Sequence, residues 1–334
     1  GSVLFGNTVS LVSKSLTVSA DEIDINNFVD PGTPGVSDLV LQPGNIATSV
    51  VVAGTASSGV LDITATELGN LVNGFRSIKI GRSNSLGNLD VQGNLTSGQI
   101  RDPFTLTTSG ILSINGAIAA TDDATLDLIN PNTATGSIVL ANAISTQGRV
   151  ITIDGLTQVG NAGGSITTTG IGNSNPTGAN IRFLSTSSLS GVGTLTLDSG
   201  SVGLINAANS INMGGGITIQ NSGGATFSNP VTAGAVDIIS TTSGKDVSFN
   251  GTLNAASLNT GSGAYNLNVI SGGTITGATN ITNTGTTTLG NDQFDVLTFI
   301  GGLTANSGPL NLAGTIATSN SGTITIGDAT LTAS

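Results

Sequence analysis

The sequence contains no cysteine, no histidine and no tryptophan, and only one tyrosine, Tyr265, and one methionine, Met213. Without a thiol or an imidazole, cysteine nucleophiles, Ser-His triads and the usual zinc sites cannot be assembled. The missing cysteine leaves the redox compartment open, because exported and cytosolic proteins alike do without it. Charge is scarce as well: charged residues make up 8% of 334, and eight basic against nineteen acidic residues leave a net charge of −11. So few cations give no electrostatic footprint for a phosphate backbone, and nucleic acid is excluded as an expected partner. No run approaches the ~20 apolar residues that cross a bilayer, so no membrane insertion is expected. No charged-then-apolar leader opens the sequence, and any export signal is expected to lie outside it.

Glycine is abundant, with 49 residues, and Val, Ile and Leu recur throughout. Glycine at this level, with few of the charged residues that favour helices, excludes an ordinary helical or α/β domain. Disordered chains lack the bulky aliphatics that offset chain entropy, so this chain is expected to fold.

Short apolar-x-apolar triplets run from end to end, among them Leu16-Thr17-Val18, Leu61-Asp62-Ile63, Ile151-Thr152-Ile153, Ile217-Thr218-Ile219 and Ile324-Thr325-Ile326. Alternation with period two marks half-buried strands, and the Gly, Asn, Ser and Thr runs between them mark tight corners. In the last hundred residues the apolar positions return at a fixed interval. One series is Val236, Leu258, Ile281, Leu303, Ile326; a second is Phe249, Leu267, Leu289, Leu312; a third is Leu253, Ile275, Leu297, Ile316. Three interleaved series with steps near 22 residues predict an all-β fold, a right-handed parallel β-helix (β-solenoid) of three short strands per coil and about 22 residues per coil. The whole chain would then make about 15 coils and a rod of about 70 Å. A β-sandwich or small barrel is the alternative arrangement of the same strands.

An apolar-x-Gly/Asn-x-apolar corner recurs upstream and downstream, as in Val91 to Leu95, Ile114 to Ile118, Leu140 to Ile144, Phe249 to Leu253 and Leu312 to Ile316. Phe299 to Leu303 matches the string but falls out of register with the others. Residues 1–334 read as a single solenoid domain with two interruptions. Asp30 to Gly35, with two prolines in four positions, predicts a projecting loop. Residues 66–76 carry the helical spacing Leu68, Leu71, Val72, Phe75, with Thr66 as a cap and Glu67 in the first turn, so a short helical insertion is expected there.

Solenoid enzymes that cut polysaccharides need convergent carboxylates, one to donate a proton and one to activate water or stabilise charge. The candidate clusters are Asp21-Glu22-Ile23-Asp24, the stretch Asp122-Asp123 to Asp127, and Asn291-Asp292-Gln293-Phe294-Asp295. None has a tryptophan beside it for a sugar ring, and the plainer reading of each is a solvated turn whose Asp side chains bond their own backbone. No enzymatic activity and no organic cofactor are therefore expected. Hard oxygen ligands suit calcium, and Asp122, Asp123 and Asp127 are the candidate Ca²⁺ ligands, although neither an EF-hand loop nor a Gly-Gly-x-Gly-x-Asp repeat occurs. Thr-x-Thr strings recur too irregularly for an ice-binding face.

The phrases Thr66-Glu-Leu-Gly-Asn-Leu, Gly74-Phe-Arg-Ser-Ile-Lys-Ile-Gly81-Arg82, Asn283 to Gly290 and Leu312-Ala-Gly-Thr-Ile316 resemble stretches of large bacterial exoproteins and adhesins of the filamentous haemagglutinin type. The resemblance is clearest over residues 60–82 and 236–334. It implies a secreted right-handed β-helix at the cell surface or in an extracellular filament, serving adhesion, aggregation or biofilm structure. It carries no site residue across. The expected function is thus that of a structural surface or fibre protein; the alternative is a polysaccharide-binding or polysaccharide-cleaving solenoid. Both ends read as ordinary coil, so self-association end to end or continuation in a larger chain is expected, with cell-surface glycans as further candidate partners.

Overall fold

The computed structural model describes residues 1–55, 59–96, 98–319 and 322–332. The fold is all-β, with parallel strands stacked as a β-solenoid of about 15 turns at roughly 22 residues per turn. Contacts divide the chain into two compact units, one of Gly1–Gln158 with Thr168–Asn175, the other of Val159–Thr167 with Pro176–Ser334.

In the first unit the strands Leu16–Ala20, Asp38–Pro43, Ser77–Gly81, Phe104–Thr107, Leu126–Ile129 and Ile151–Asp154 pair in parallel in that order. Their register stacks Leu16, Leu39, Ile78, Phe104, Leu126 and Ile151 in one column. All but the first of these are buried, because period-two alternation turns every second side chain inward. The interval from Leu39 to Ile78 is the longest, since it also holds the paired strands Val50–Val52 and Leu61–Ile63 and a helix. In the second unit a column of Phe183, Ala207, Phe227, Phe249, Val269, Leu289, Leu312 and Leu331 recurs every 19 to 24 residues. The Phe227 and Phe249 rings stack inside it with centroids 4.8 Å apart.

The register corrects each of the three series read from apolar spacing. Phe249 pairs with Val269, not Leu267. Asn259 faces Asn280, which sets Leu258 against Thr279 and not Ile281, and Thr279 in turn pairs with Leu303. Leu253 pairs with Gly273, while Ile275 pairs with Ala255 and Phe299. Each slip is two residues, which leaves the face unchanged: Gly273 and the buried Thr279 were passed over for the nearest aliphatic, and Val269 for Leu267, an aliphatic of the same face. Phe299 to Leu303 stacks on Ile275 to Thr279, whereas Phe249 to Leu253 stacks on Phe227 to Val231. One string thus serves two different corners of the coil.

Glycine at these corners answers to close approach between coils as much as to backbone conformation. A Cβ on Gly93 would lie 2.1 Å from the Ala53 carbonyl oxygen, and one on Gly116 would lie 2.0 Å from that of Gly93. No side chain fits in that column. Outside the coils, side chains link successive turns: Asn115 donates to Asp90 at 2.7 Å, Asn259 to Asp237 at 2.6 Å and Asn266 to Asp246 at 2.8 Å. Asp38 accepts from the Arg76 guanidinium, Ser77 and Ser15, and the Arg76 hydrogen bonds hold its carboxyl below the usual carboxylate range.

The helical insertion is shorter than the spacing predicted and begins earlier. The helix is Ala65–Gly69, and its cap is Thr64, not Thr66. Thr64 and Glu67 form a capping box, in which the Thr64 hydroxyl accepts from the Glu67 N–H at 3.2 Å and the Glu67 carboxylate accepts from the Thr64 N–H at 2.7 Å. The other Glu67 oxygen accepts the Ile25 N–H at 2.8 Å and so ties the helix to the strand Glu22–Ile25. Residues 71–76 are not helical; Leu71 and Phe75 are buried in the core instead. The loop after Asp30 is a tight turn with Gly32 N–H on the Asp30 carboxylate at 2.8 Å, and residues 32–36 are exposed.

Glu67→Ala removes the acceptor for the buried Ile25 N–H and the half-buried Thr64 N–H at once and is expected to cost about 2 to 3 kcal/mol in urea denaturation. Glu67→Gln, which keeps a carbonyl oxygen, is expected to recover part of it; equal losses in the two variants would refute the capping role. Tyr265 gives a second test, because burial pushes its hydroxyl up to about 12. As the raised value belongs to the folded state, stability is unaffected below the free phenol's pKa of about 10 and falls as pH climbs from there toward 12. Since the chain has one tyrosine, its phenolate absorbance is expected to stay flat through the ordinary range, and a midpoint near 10 would contradict the burial.

Candidate functional site

The first acidic cluster gains members from the fold. Glu22 and Asp24 point outward from the strand Glu22–Ile25, and they share a surface depression of about 460 Å³ with Asp62, Glu67, Thr64 and Asn70. Burial raises the Glu22 pKa, and the neighbouring charges of Asp62 and Asp24 add to the rise. Glu67 is already engaged by the capping box and the Ile25 N–H, so it is a structural member of the group.

The second cluster is divided by the strand pattern. Asp122 and Asp123 are exposed at a corner, where Asp122 takes the left-handed conformation at φ 56°, a region in which Asp is among the tolerated residues. Asp127 lies on the outer side of the strand Leu126–Ile129, paired between Thr105 and Thr152. Asp122 and Asp123 line an open cleft of about 530 Å³ with Asn73, Gly74, Phe75, Asp102 and Arg149; Asp127 does not. Arg149 donates to the Asp122 carbonyl at 3.3 Å and Asn73 to the Asp122 carboxylate at 3.4 Å. Asp102 is buried at the cleft floor, and its carboxylate accepts the Gly74 N–H at 2.8 Å. Desolvation raises its pKa against the lowering effect of the Gly74 and Phe75 N–H groups. Among the described residues no group of three or more Asp or Glu converges closely enough to hold a metal ion.

The third cluster is a self-contained turn. The Asp295 carboxylate accepts the N–H groups of Asn291 at 2.8 Å and Asp292 at 3.1 Å, and Asp292 accepts that of Phe294 at 2.7 Å. These carboxylates shape the turn, and the Phe294 ring stands outside it, 81% exposed.

Sequence reasoning passed over Asp62 and Asp102. Asp62 sits inside an ordinary Leu-Asp-Ile triplet and Asp102 in an irregular stretch, so only the stacking register brings each to its neighbours. The outer columns were missed for the same reason. Asn206, Thr226, Ser248, Asn268, Thr288, Asn311 and Thr330 form an uncharged hydroxyl and amide column, one residue per coil, along one face of the second unit.

No protein-family model matches the chain, nor does any curated protein or solved structure.

Proposed function

We propose that this chain is a structural segment of a secreted surface or fibre protein, an adhesin-like or filament-forming element that supports adhesion, aggregation or a biofilm matrix. The observation that carries the reading is the uniformity of the columns. Inward apolar side chains repeat coil after coil in both units, and in the second unit outward Thr, Asn and Ser repeat with them, so cohesion is spread over many coils. The resemblance to exoproteins of the filamentous haemagglutinin type supports the same conclusion. Ile324 and Ile326 stack on the buried Leu303 and Ala305, and Leu331 on the half-buried Leu312, yet all three are themselves exposed.

Electron microscopy of the chain at several concentrations, with and without Ca²⁺, tests the proposal. Elongated particles or filaments with a constant axial repeat are expected; compact globular particles at every concentration would overturn it. A polysaccharide-binding or -cleaving protein remains the second reading, favoured by the cleft where buried Asp102 meets Asp122, Asp123 and Arg149. Paired Asp122→Asn and Asp123→Asn substitutions, which keep at position 122 a residue that tolerates its left-handed backbone, are expected to abolish sugar turnover in that case and to leave the fold of a structural segment intact.

A further inference from the structure

The second unit is acidic, with six aspartates, and has only two basic residues, Arg182 and Lys245. Both are exposed on the face formed by the strands Ile181–Phe183, Ile205–Ala207, Ala225–Phe227 and Asp246–Phe249. Between them lies a groove of about 210 Å³, lined by Leu204, Asn206, Gly224, Thr226, Lys245 and Asp246 among others. Arg182 pairs in register with Asn206, one coil away from the groove's floor.

The groove is made by a missing side chain. Successive coils place Leu204, Gly224 and Asp246 just ahead of the paired residues Ile205, Ala225 and Val247, so glycine interrupts a row that elsewhere carries side chains. Its φ of +139° also suits glycine. One wall is apolar, the half-exposed Leu204; Asn206 and Thr226 line the base with an amide and a hydroxyl; Lys245 and Asp246 stand at the rim. The Asp246 carboxylate is occupied by Asn266. The side chains of Asn206, Thr226, Lys245 and Arg182 make no hydrogen bond or ion pair to other protein groups among the described residues.

We infer that this groove binds a carboxylate-bearing sugar residue of an acidic polysaccharide. Lys245 takes the carboxylate, Asn206 and Thr226 take ring hydroxyls, Leu204 packs against the ring's C–H face, and Arg182 meets the next acidic residue of the chain. The size fits a single ring, since drug-sized sites begin near ~300 Å³. A cation pair beside an uncharged hydroxyl and amide column attracts an anionic ligand to the groove and offers its hydroxyls hydrogen-bond partners there. The inference rests on the surface-protein reading and names its ligand class.

The test is ligand-observed NMR and calorimetry of the whole chain with an oligogalacturonate, its neutral oligogalactose counterpart, and acetate as a competitor. Saturation transfer from protein to the uronate oligomer is expected, with little to the neutral one and no displacement by equimolar acetate. Lys245→Gln is expected to weaken uronate binding about tenfold, the loss of one charge-assisted contact, and Arg182→Gln less. Lys79→Gln, in the first unit, serves as a like-charge control expected to bind unchanged. The inference is overturned by no uronate binding, by equal binding of the neutral oligomer, by displacement with acetate, or by equal loss in the Lys79 variant. Electron microscopy without ligand judges the structural reading separately, so either can fail alone.

Discussion

Phe249→Ala is expected to lower the stability of the second unit by about 3 to 5 kcal/mol, the range for emptying a large aromatic from a packed interior. Phe249 is fully buried, and its ring stacks on Phe227 one coil below at 4.8 Å. Neighbouring coils close the space only by shifting their strands, and the parallel pairing on both sides, to Phe227 and to Val269, resists that shift. A cavity therefore remains. Chemical denaturation with a far-ultraviolet probe measures the loss, and Phe249→Leu is expected to restore more than half of it by refilling volume. A change below 1 kcal/mol in Phe249→Ala, far under the range for a buried ring, would mean that the interior is loosely packed.

Gly273→Ala is expected to be nearly as damaging, for two separable reasons. Gly273 has φ +138°, and a Cβ there would lie 2.0 Å from the Leu253 carbonyl oxygen. Backbone strain costs about 1 to 3 kcal/mol and the overlap with rigid backbone about 1 to 3 more. Gly244→Ala isolates the first part, because Gly244 has φ +72° and open space around its Cβ position. Gly116→Ala isolates the second, since Gly116 does not take a positive φ yet its Cβ would lie 2.0 Å from the Gly93 oxygen. The Gly273 variant is expected to lose more than either; a loss no greater than that of Gly244→Ala would show that the coils can separate to admit a methyl group.

Much of the fold was legible because it is written in period two. Triplets such as Leu195-Thr196-Leu197 and Ile217-Thr218-Ile219 are strands, and they pair residue for residue. The coil length was legible too, from the return of aliphatics at a near-constant interval. What stayed hidden was register to within two residues, because Thr279 and Gly273 occupy inward columns that aliphatic spacing assigns to Ile281 and Ile275. The helix was displaced for a related reason: Thr64 lies before the first apolar residue of the helical stretch, yet its hydroxyl closes the capping box with Glu67. The acidic groups were the least legible. Asp122 and Asp123 are adjacent in sequence and in the cleft, but Asp102 reaches them only through stacking, and Asp127 turns to a different surface.

The amide-to-carboxylate links on the outside of the coils bear on how this protein ages. Deamidation of Asn259 or Asn266 would turn a hydrogen bond to Asp237 or Asp246 into a pair of stacked anions in adjacent strands, about 5 Å apart. Asn115, which donates to Asp90, is followed by glycine, the neighbour that most readily allows ring closure onto the asparagine side chain. Its susceptible N–H, that of Gly116, is held on the Val91 carbonyl at 2.7 Å. The same stacking that excludes side chains from the corner thus ties up the nitrogen that would begin the decay, and the shelf life of the protein at this position is set by how seldom that corner opens.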